Sequence, residues 1–99
     1  MISLRLEAQQ YAALRAGFDA AAGDPDAPID VSLLARVRNA LTEAKAAALP
    51  GLPILVMLKS SDELAALSAC FDVGGEGHAD VTDDHWDAIT ALIEQAARP

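Results

Sequence analysis

The sequence predicts an α+β fold in which one strand–helix–helix unit occurs twice, giving the element order βααβαα. Three observations support this prediction. The octet at residues 12–19 recurs at residues 65–72 with only two positions changed. A short aliphatic run precedes each octet, and an Asp-Val-Ser or Asp-Val-Thr triplet follows each one. Because these features recur in the same order, we interpret the chain as an internal duplication.

The length of 99 residues suits one domain, so residues 1–99 are expected to form a single domain with internal repeats at 2–50 and 54–99. Each unit contains one strand, and the backbone groups of a lone strand need hydrogen-bond partners. We therefore expect the two strands to pair as a short two-stranded ribbon packed with four helices. The pairing is expected either within one chain or across a homodimer.

In the first unit, residues 2–6 alternate between apolar and polar, which predicts a half-buried strand with Ser3 and Arg5 facing outward. A helix is expected over residues 8–22, because its apolar residues recur at helical spacing. Glycine and proline in the segment 23–28 end it. Ser32 is the expected N-cap of the second helix.

In the second unit, residues 54–59 include apolar residues on both faces, which predicts a more buried strand. Ser60 and Glu63 have the spacing of a capping box for the third helix, and Thr82 is the expected cap of the fourth. The buried positions expected in these two helices are Leu64, Leu67, Phe71, Trp86, Ile89, Leu92, Ile93 and Ala96.

A strand at residues 2–6, a helix carrying Tyr11 and Leu14, and a second helix starting at Ser32 together resemble the ribbon–helix–helix family. Members of that family are small DNA-binding repressors and antitoxins, whose antiparallel ribbon enters the major groove. The resemblance implies that Ser3 and Arg5 contact bases and that the helix start at Ser32 holds a phosphate. A DNA-binding transcriptional regulator is therefore one functional hypothesis.

The charge distribution favours a different hypothesis. The net charge is −8, and residues 51–99 contain nine acidic but only two basic residues. Such acidity repels phosphate, so nucleic acid is not the expected partner. The second strand would also place Leu55 and Met57 on the DNA-facing side of a ribbon. We therefore expect a small acidic, non-enzymatic protein-binding module of the inhibitor, antitoxin or adaptor type. Its candidate contacts to a basic protein surface are Asp62, Glu63, Asp83, Asp84 and Asp87, together with Trp86, for which an aromatic anchor is the alternative to a place in the core.

No catalytic residue, metal site or cofactor is expected. Residues 72–83 have some of the acid spacing of a calcium loop, but Gly stands at position 3 and Asp at position 12. The polar residues His78, Asp80, Asp84 and His85 are expected to be solvated rather than to ligate a transition metal. Cys70 has no evident base nearby in sequence, so it is expected to be a small buried residue.

The expected location is cytoplasmic. A single cysteine allows no intrachain disulfide and suits a reducing compartment. The N-terminus lacks the apolar stretch of a signal peptide. The longest apolar run, residues 52–58, is too short to span a bilayer, so no membrane partner is expected.

Overall fold

The computed structural model describes residues 2–23 and 29–98. Its elements are β1 (Ile2–Leu6), α1 (Ala8–Ala22), α2 (Val31–Ala46), β2 (Ile54–Leu58), α3 (Ser61–Gly75) and α4 (Asp83–Ala97). This order, with one two-stranded antiparallel ribbon and four helices, confirms the predicted α+β class and the duplicated unit. Most of the predicted helix-breaking segment, residues 24–28, lies outside the described residues.

The ribbon forms within one chain, which answers the question that the sequence left open. β1 pairs with β2 in antiparallel register, and Leu4 lies opposite Val56 at the centre. Both strands alternate between buried and exposed positions, with Leu55 and Met57 on the exposed side. β2 buries three of its five residues and β1 buries two, so the second strand is the more buried one as expected, but its outward apolar residues stay uncovered. The physical reason is that the helices cover only one face of the ribbon.

The two units complete each other. α1 and α3 form the most extensive helix–helix contact of the fold. α2 packs on β2 of the second unit, while α4 packs on β1 of the first. These exchanged contacts are reciprocal, and both units contribute to one hydrophobic core. The two repeats therefore pack against each other as the two subunits of a dimer would.

The duplicated octets supply matched core residues. Leu14 and Leu67, and likewise Phe18 and Phe71, are fully buried as predicted. Leu41 of α2 is also fully buried, but its counterpart Leu92 of α4 is only partly buried, so that expectation is wrong. Trp86 and Ala96 of α4 are likewise only partly buried, whereas Ile89 and Ile93 are buried as expected.

Two hydrogen bonds hold α2 to α1 and have no counterpart between α3 and α4. The Tyr11 hydroxyl donates to the main-chain oxygen of Leu41 in the interior, and the Arg15 guanidinium donates to the Thr42 hydroxyl at 3.2 Å. In the register of the repeat, Leu64 replaces the tyrosine and cannot make this bond. α4 is therefore attached to the core by apolar packing with fewer polar anchors than α2.

The helix starts are capped largely as expected. α1 spans the predicted residues, the Ser60 hydroxyl accepts from the Glu63 amide at 3.3 Å, and the Thr82 hydroxyl accepts from the His85 amide at 3.2 Å. At α2 the expectation is wrong, because Asp30 is the N-cap and its carboxylate accepts from the Ser32 amide at 2.7 Å. A carboxylate one position outside the helix competes better for these amides than the hydroxyl of Ser32.

Candidate functional site

The six residues predicted to bind a partner do not form one surface. Asp62 lies in the first turn of α3, whereas Asp83 begins α4 beyond the opposite end of α3. The helix between Asp62 and Gly75 rises about 20 Å, which separates Asp62 from the acids of α4. Glu63 is only 3% exposed, so its predicted place on an acidic surface is wrong.

Glu63 is buried because of its place in the helix start. It is the third residue of α3, and its carboxylate accepts a hydrogen bond from the Lys59 amide at 3.4 Å. At that position it also lies near the positive end of the helix dipole. The capping-box spacing in the sequence already indicated this structural role. Glu63 therefore stabilises the start of α3.

The connection between α3 and α4 brings the remaining candidates together. It encloses a cleft of about 300 Å³, lined by Gly75, Glu76, Gly77, Val81, Asp83 and Trp86, which we call the acidic cleft. The Trp86 ring stacks on the buried Phe71 ring with centroids 5.0 Å apart and planes 27° apart. Packing on Phe71 fixes the indole, and the part of Trp86 that stays accessible lines the cleft.

Local hydrogen bonds shape the turn that forms this cleft. Gly77 adopts a φ of 71°, a left-handed conformation that glycine adopts without strain. The His78 amide donates to the Gly75 oxygen at 3.1 Å, and the His78 Nδ1 accepts from the Asp80 amide at 3.1 Å. The turn thus brings one carboxylate from the end of α3, Glu76, and one from the start of α4, Asp83, to the same cleft.

The acidic cleft carries unneutralised negative charge. No lysine or arginine occurs between residues 60 and 97. Among residues 2–23 and 29–98, the only salt bridge joins Arg15 to Asp19 at 3.0 Å. Asp84 and Asp87 are exposed on the first turns of α4 and add to the same end of the molecule. An aromatic face beside carboxylates is an arrangement that binds a cationic side chain.

The outward face of the ribbon is a second candidate surface. It consists of Ser3, Arg5, Leu55 and Met57, which we call the ribbon face, and it pairs Ser3 with Met57 and Arg5 with Leu55. The structure therefore brings together the two base-contacting residues implied by the family resemblance. Beside them it exposes two apolar side chains, Leu55 by 53% and Met57 by 45%.

Ser32, the third residue of the DNA-binding alternative, lies in the first turn of α2. Its amide is already bonded to the Asp30 carboxylate. A phosphate approaching this helix start would meet that carboxylate before it met the amide. The structure therefore does not support the phosphate-binding role that the resemblance implied for Ser32.

Two grooves flank the ribbon face at equivalent places in the two units. One, of about 440 Å³, lies between β1 and α4 and includes Arg5, Gln10, Ala91 and Leu92. The other, of about 140 Å³, lies between β2 and α2, and is lined by Arg36, Asn39, Ala40, Glu43, Met57, Lys59 and Glu63. The first is wider because α4 makes less contact with β1 than α2 makes with β2. Sequence reasoning missed both grooves, since apolar spacing does not encode the distance between packed elements.

The structure places Cys70 in the interior of α3, and the residues considered as metal ligands lie in α3, in the turn after it and in α4. Burial raises the pKa of the Cys70 thiol, which is 2% exposed. Residues 72–75 belong to the last turn of α3, so the calcium-like spacing does not begin in a loop. Within the part of the chain that the structure describes, no group of three or more His, Cys, Asp or Glu side chains is placed to hold a metal ion.

None of the described helices has the length and the apolar composition that a membrane span requires.

Protein-family models, curated proteins and solved structures were compared with the chain, and none of them matches it. The ribbon–helix–helix assignment therefore stays a prediction.

Proposed function

We propose that this chain is a small, non-enzymatic protein-binding module that receives a basic segment of a protein partner in its acidic cleft. The observation that carries the proposal is the position of Trp86. Its ring is fixed by stacking on Phe71 at 5.0 Å and lines a cleft that also contains Glu76 and Asp83. Inhibitors, antitoxins and adaptors that neutralise or recruit a basic protein work through surfaces of this kind.

The chemistry of the cleft selects for lysine or arginine. An ammonium or guanidinium group over the indole face gains about 0.5–2 kcal/mol, and an exposed ion pair with a carboxylate adds about 0.2–1 kcal/mol. One basic side chain therefore supplies at most about 3 kcal/mol, which is less than the roughly 4 kcal/mol of a millimolar complex. A partner that binds more tightly has to place further basic residues against Asp84 and Asp87.

The test uses Trp86 as its own reporter, since the chain contains a single tryptophan. We expect the fluorescence of the full chain to change on titration with a lysine- and arginine-rich peptide. Asp83→Lys is expected to weaken binding at least tenfold. Asp62→Lys is the matched control, because it makes the same change of charge in the first turn of α3, away from the cleft. If both substitutions weaken binding equally, only net charge matters and the cleft is not the site.

A ribbon–helix–helix-type DNA-binding regulator is the alternative, and one observation favours it. The ribbon is antiparallel and carries Ser3 and Arg5 on its outward face, as such a regulator requires. Phosphate contacts would make binding to duplex DNA fall steeply with salt. With a net charge of −8, we expect no duplex binding at physiological salt. Duplex binding that Arg5→Ala abolishes would support the alternative.

A further inference from the structure

We propose that two copies of this chain associate through their ribbon faces, so that the two ribbons stack about a twofold axis. The ribbon within each copy is already complete, so the contact adds a second sheet above the first instead of extending one sheet. This inference goes beyond the proposed function, since the acidic cleft lies at the junction of α3 and α4 and is not part of the ribbon face.

The first argument is the placement of apolar side chains. Leu55 and Met57 are exposed by 53% and 45% at neighbouring outward positions of the same strand. The other large apolar residues that are exposed in the described part of the chain lie off the strands. Val31 and Val73 are single residues at the start of α2 and near the end of α3, and Leu49 and Leu52 lie in the connection between α2 and β2. Two large apolar side chains on the open face of a two-stranded sheet match the surface that sheet-on-sheet packing buries.

The second argument is charge, and it identifies the occupant. The ribbon face and its two grooves contain three basic and three acidic residues: Arg5, Arg36, Lys59, Glu7, Glu43 and Glu63. These charges cancel, so the whole net charge of −8 is carried by the rest of the chain. Two copies repel each other least when they meet through this neutral face. A basic protein or a nucleic acid gains no long-range attraction there.

The third argument is symmetry and size. Twofold dimers are the commonest oligomers, and their contacts use the same patch on both copies. A stable contact buries about 800 Å² on each partner, which is more than two short strands alone can offer. Five-residue strands are only about 17 Å long, so the rims of α2 and α4 must join the contact.

These arguments fix the salt dependence of the dimer. The contact is apolar at its centre, while the remainder of each copy is strongly acidic. Added salt screens the repulsion between the copies and leaves the apolar contact in place. The dimer is therefore expected to strengthen with salt, which is opposite to the behaviour of a complex with a basic peptide or with DNA.

The test is analytical ultracentrifugation of the full chain over a range of concentrations at 50 and 500 mM NaCl. With increasing protein concentration, the measured mass is expected to rise from 10.3 kDa toward twice that value. In 500 mM NaCl this rise should occur at a lower protein concentration than in 50 mM NaCl. Replacing Leu55 and Met57 together by Ser should raise the dimer dissociation constant at least tenfold, as should Met57→Lys alone. The matched controls are Val31→Ser and Val73→Ser, which change more exposed apolar residues outside the ribbon face. These two substitutions should leave the dimer dissociation constant unchanged.

Thermal melts show whether each variant is folded. All of them are expected to fold, because every substituted side chain is exposed to solvent. The proposal is overturned if the unaltered chain stays monomeric at millimolar concentration in both salts. It is also overturned if the control substitutions weaken the dimer as much as the ribbon-face substitutions, or if salt weakens it. Duplex DNA that binds the ribbon face through Arg5 would assign this surface to nucleic acid instead.

Discussion

Gly74 of α3 lies so close to the main-chain oxygen of Gly17 in α1 that a Cβ at position 74 would overlap it. A Cβ on Gly17 would in turn come within 2.8 Å of Cδ1 of Phe71. The central helices of the two units therefore cross where neither has a side chain. This close crossing lets one aromatic residue from each unit, Phe18 and Phe71, reach the same core.

Gly74→Ala is expected to destabilise the protein by about 1–3 kcal/mol or more, because the two helices must move apart. The better helix propensity of alanine, worth about 1 kcal/mol, opposes this effect without cancelling it. The measurement is the free energy of unfolding in urea. Gly23→Ala is the control. Position 23 has a φ of −78°, and a Cβ there would lie 3.3 Å from the main-chain oxygen of Asp19. The free energy of unfolding of this variant should therefore change by less than about 1 kcal/mol. A stabilised Gly74→Ala protein would contradict the crossing.

Phe71→Ala and Phe18→Ala are each expected to cost about 3–5 kcal/mol, as for fully buried aromatic side chains. Only Phe71→Ala removes the ring on which Trp86 stacks. We therefore expect the tryptophan emission of the folded Phe71→Ala protein to shift to longer wavelength, while Phe18→Ala leaves it unchanged. Equal spectra for both variants would show that the stacking does not set the environment of Trp86.

Cys70 is expected to make stability depend on alkaline pH. Burial raises its pKa in the folded state above the ordinary value of about 8.5. Below that value the thiol is protonated in both states and its contribution to stability is fully present. As the pH rises toward the folded pKa, the unfolded state loses the proton first and stability falls. Urea unfolding at pH 7.5, 8.5 and 9.5 should show a steeper loss for the unaltered chain than for Cys70→Ala, and parallel losses would contradict this.

Metal ions are expected to leave the stability unchanged. Any ion held by the native state alone would raise the melting temperature by linkage. Melts with Ca²⁺, with Zn²⁺ and with EDTA should therefore coincide. A shift of several degrees with one ion would instead make Asp72, Glu76, Asp80 and Asp83 candidate ligands.

The fold was predictable from the sequence because its strongest features are local or repeated. The alternation in residues 2–6 and the two octets were enough for the element order and for the paired core residues, such as Leu14 and Leu67. The greater burial of β2 was predicted, but its apolar composition could not show how far Leu55 and Met57 are exposed on the uncovered face of the ribbon. The burial of Leu92 was mispredicted because it depends on how closely α4 approaches β1.

The candidate site was less predictable, because exposure and proximity decide it. Asp83 and Trp86 line the same cleft because three positions along one helix separate them little in space. Glu63 was grouped with them by charge alone, although its capping position buries it. Glu76 was missed as a member of the cleft, because only the folded turn at Gly77 brings it to the cleft that Trp86 also lines. The only indication in the sequence was the run of glycines around Glu76 at the end of α3, which predicts a turn at this place.

The most direct test of the central claim is a ¹H–¹⁵N NMR titration of the labelled full chain with a lysine- and arginine-rich peptide. Binding in the acidic cleft predicts saturable shifts at Glu76, Asp83 and the Trp86 indole N–H, with no shift at Asp62. A shift pattern confined to Ser3, Arg5 and Leu55, or spread evenly over every exposed acid, would contradict the claim.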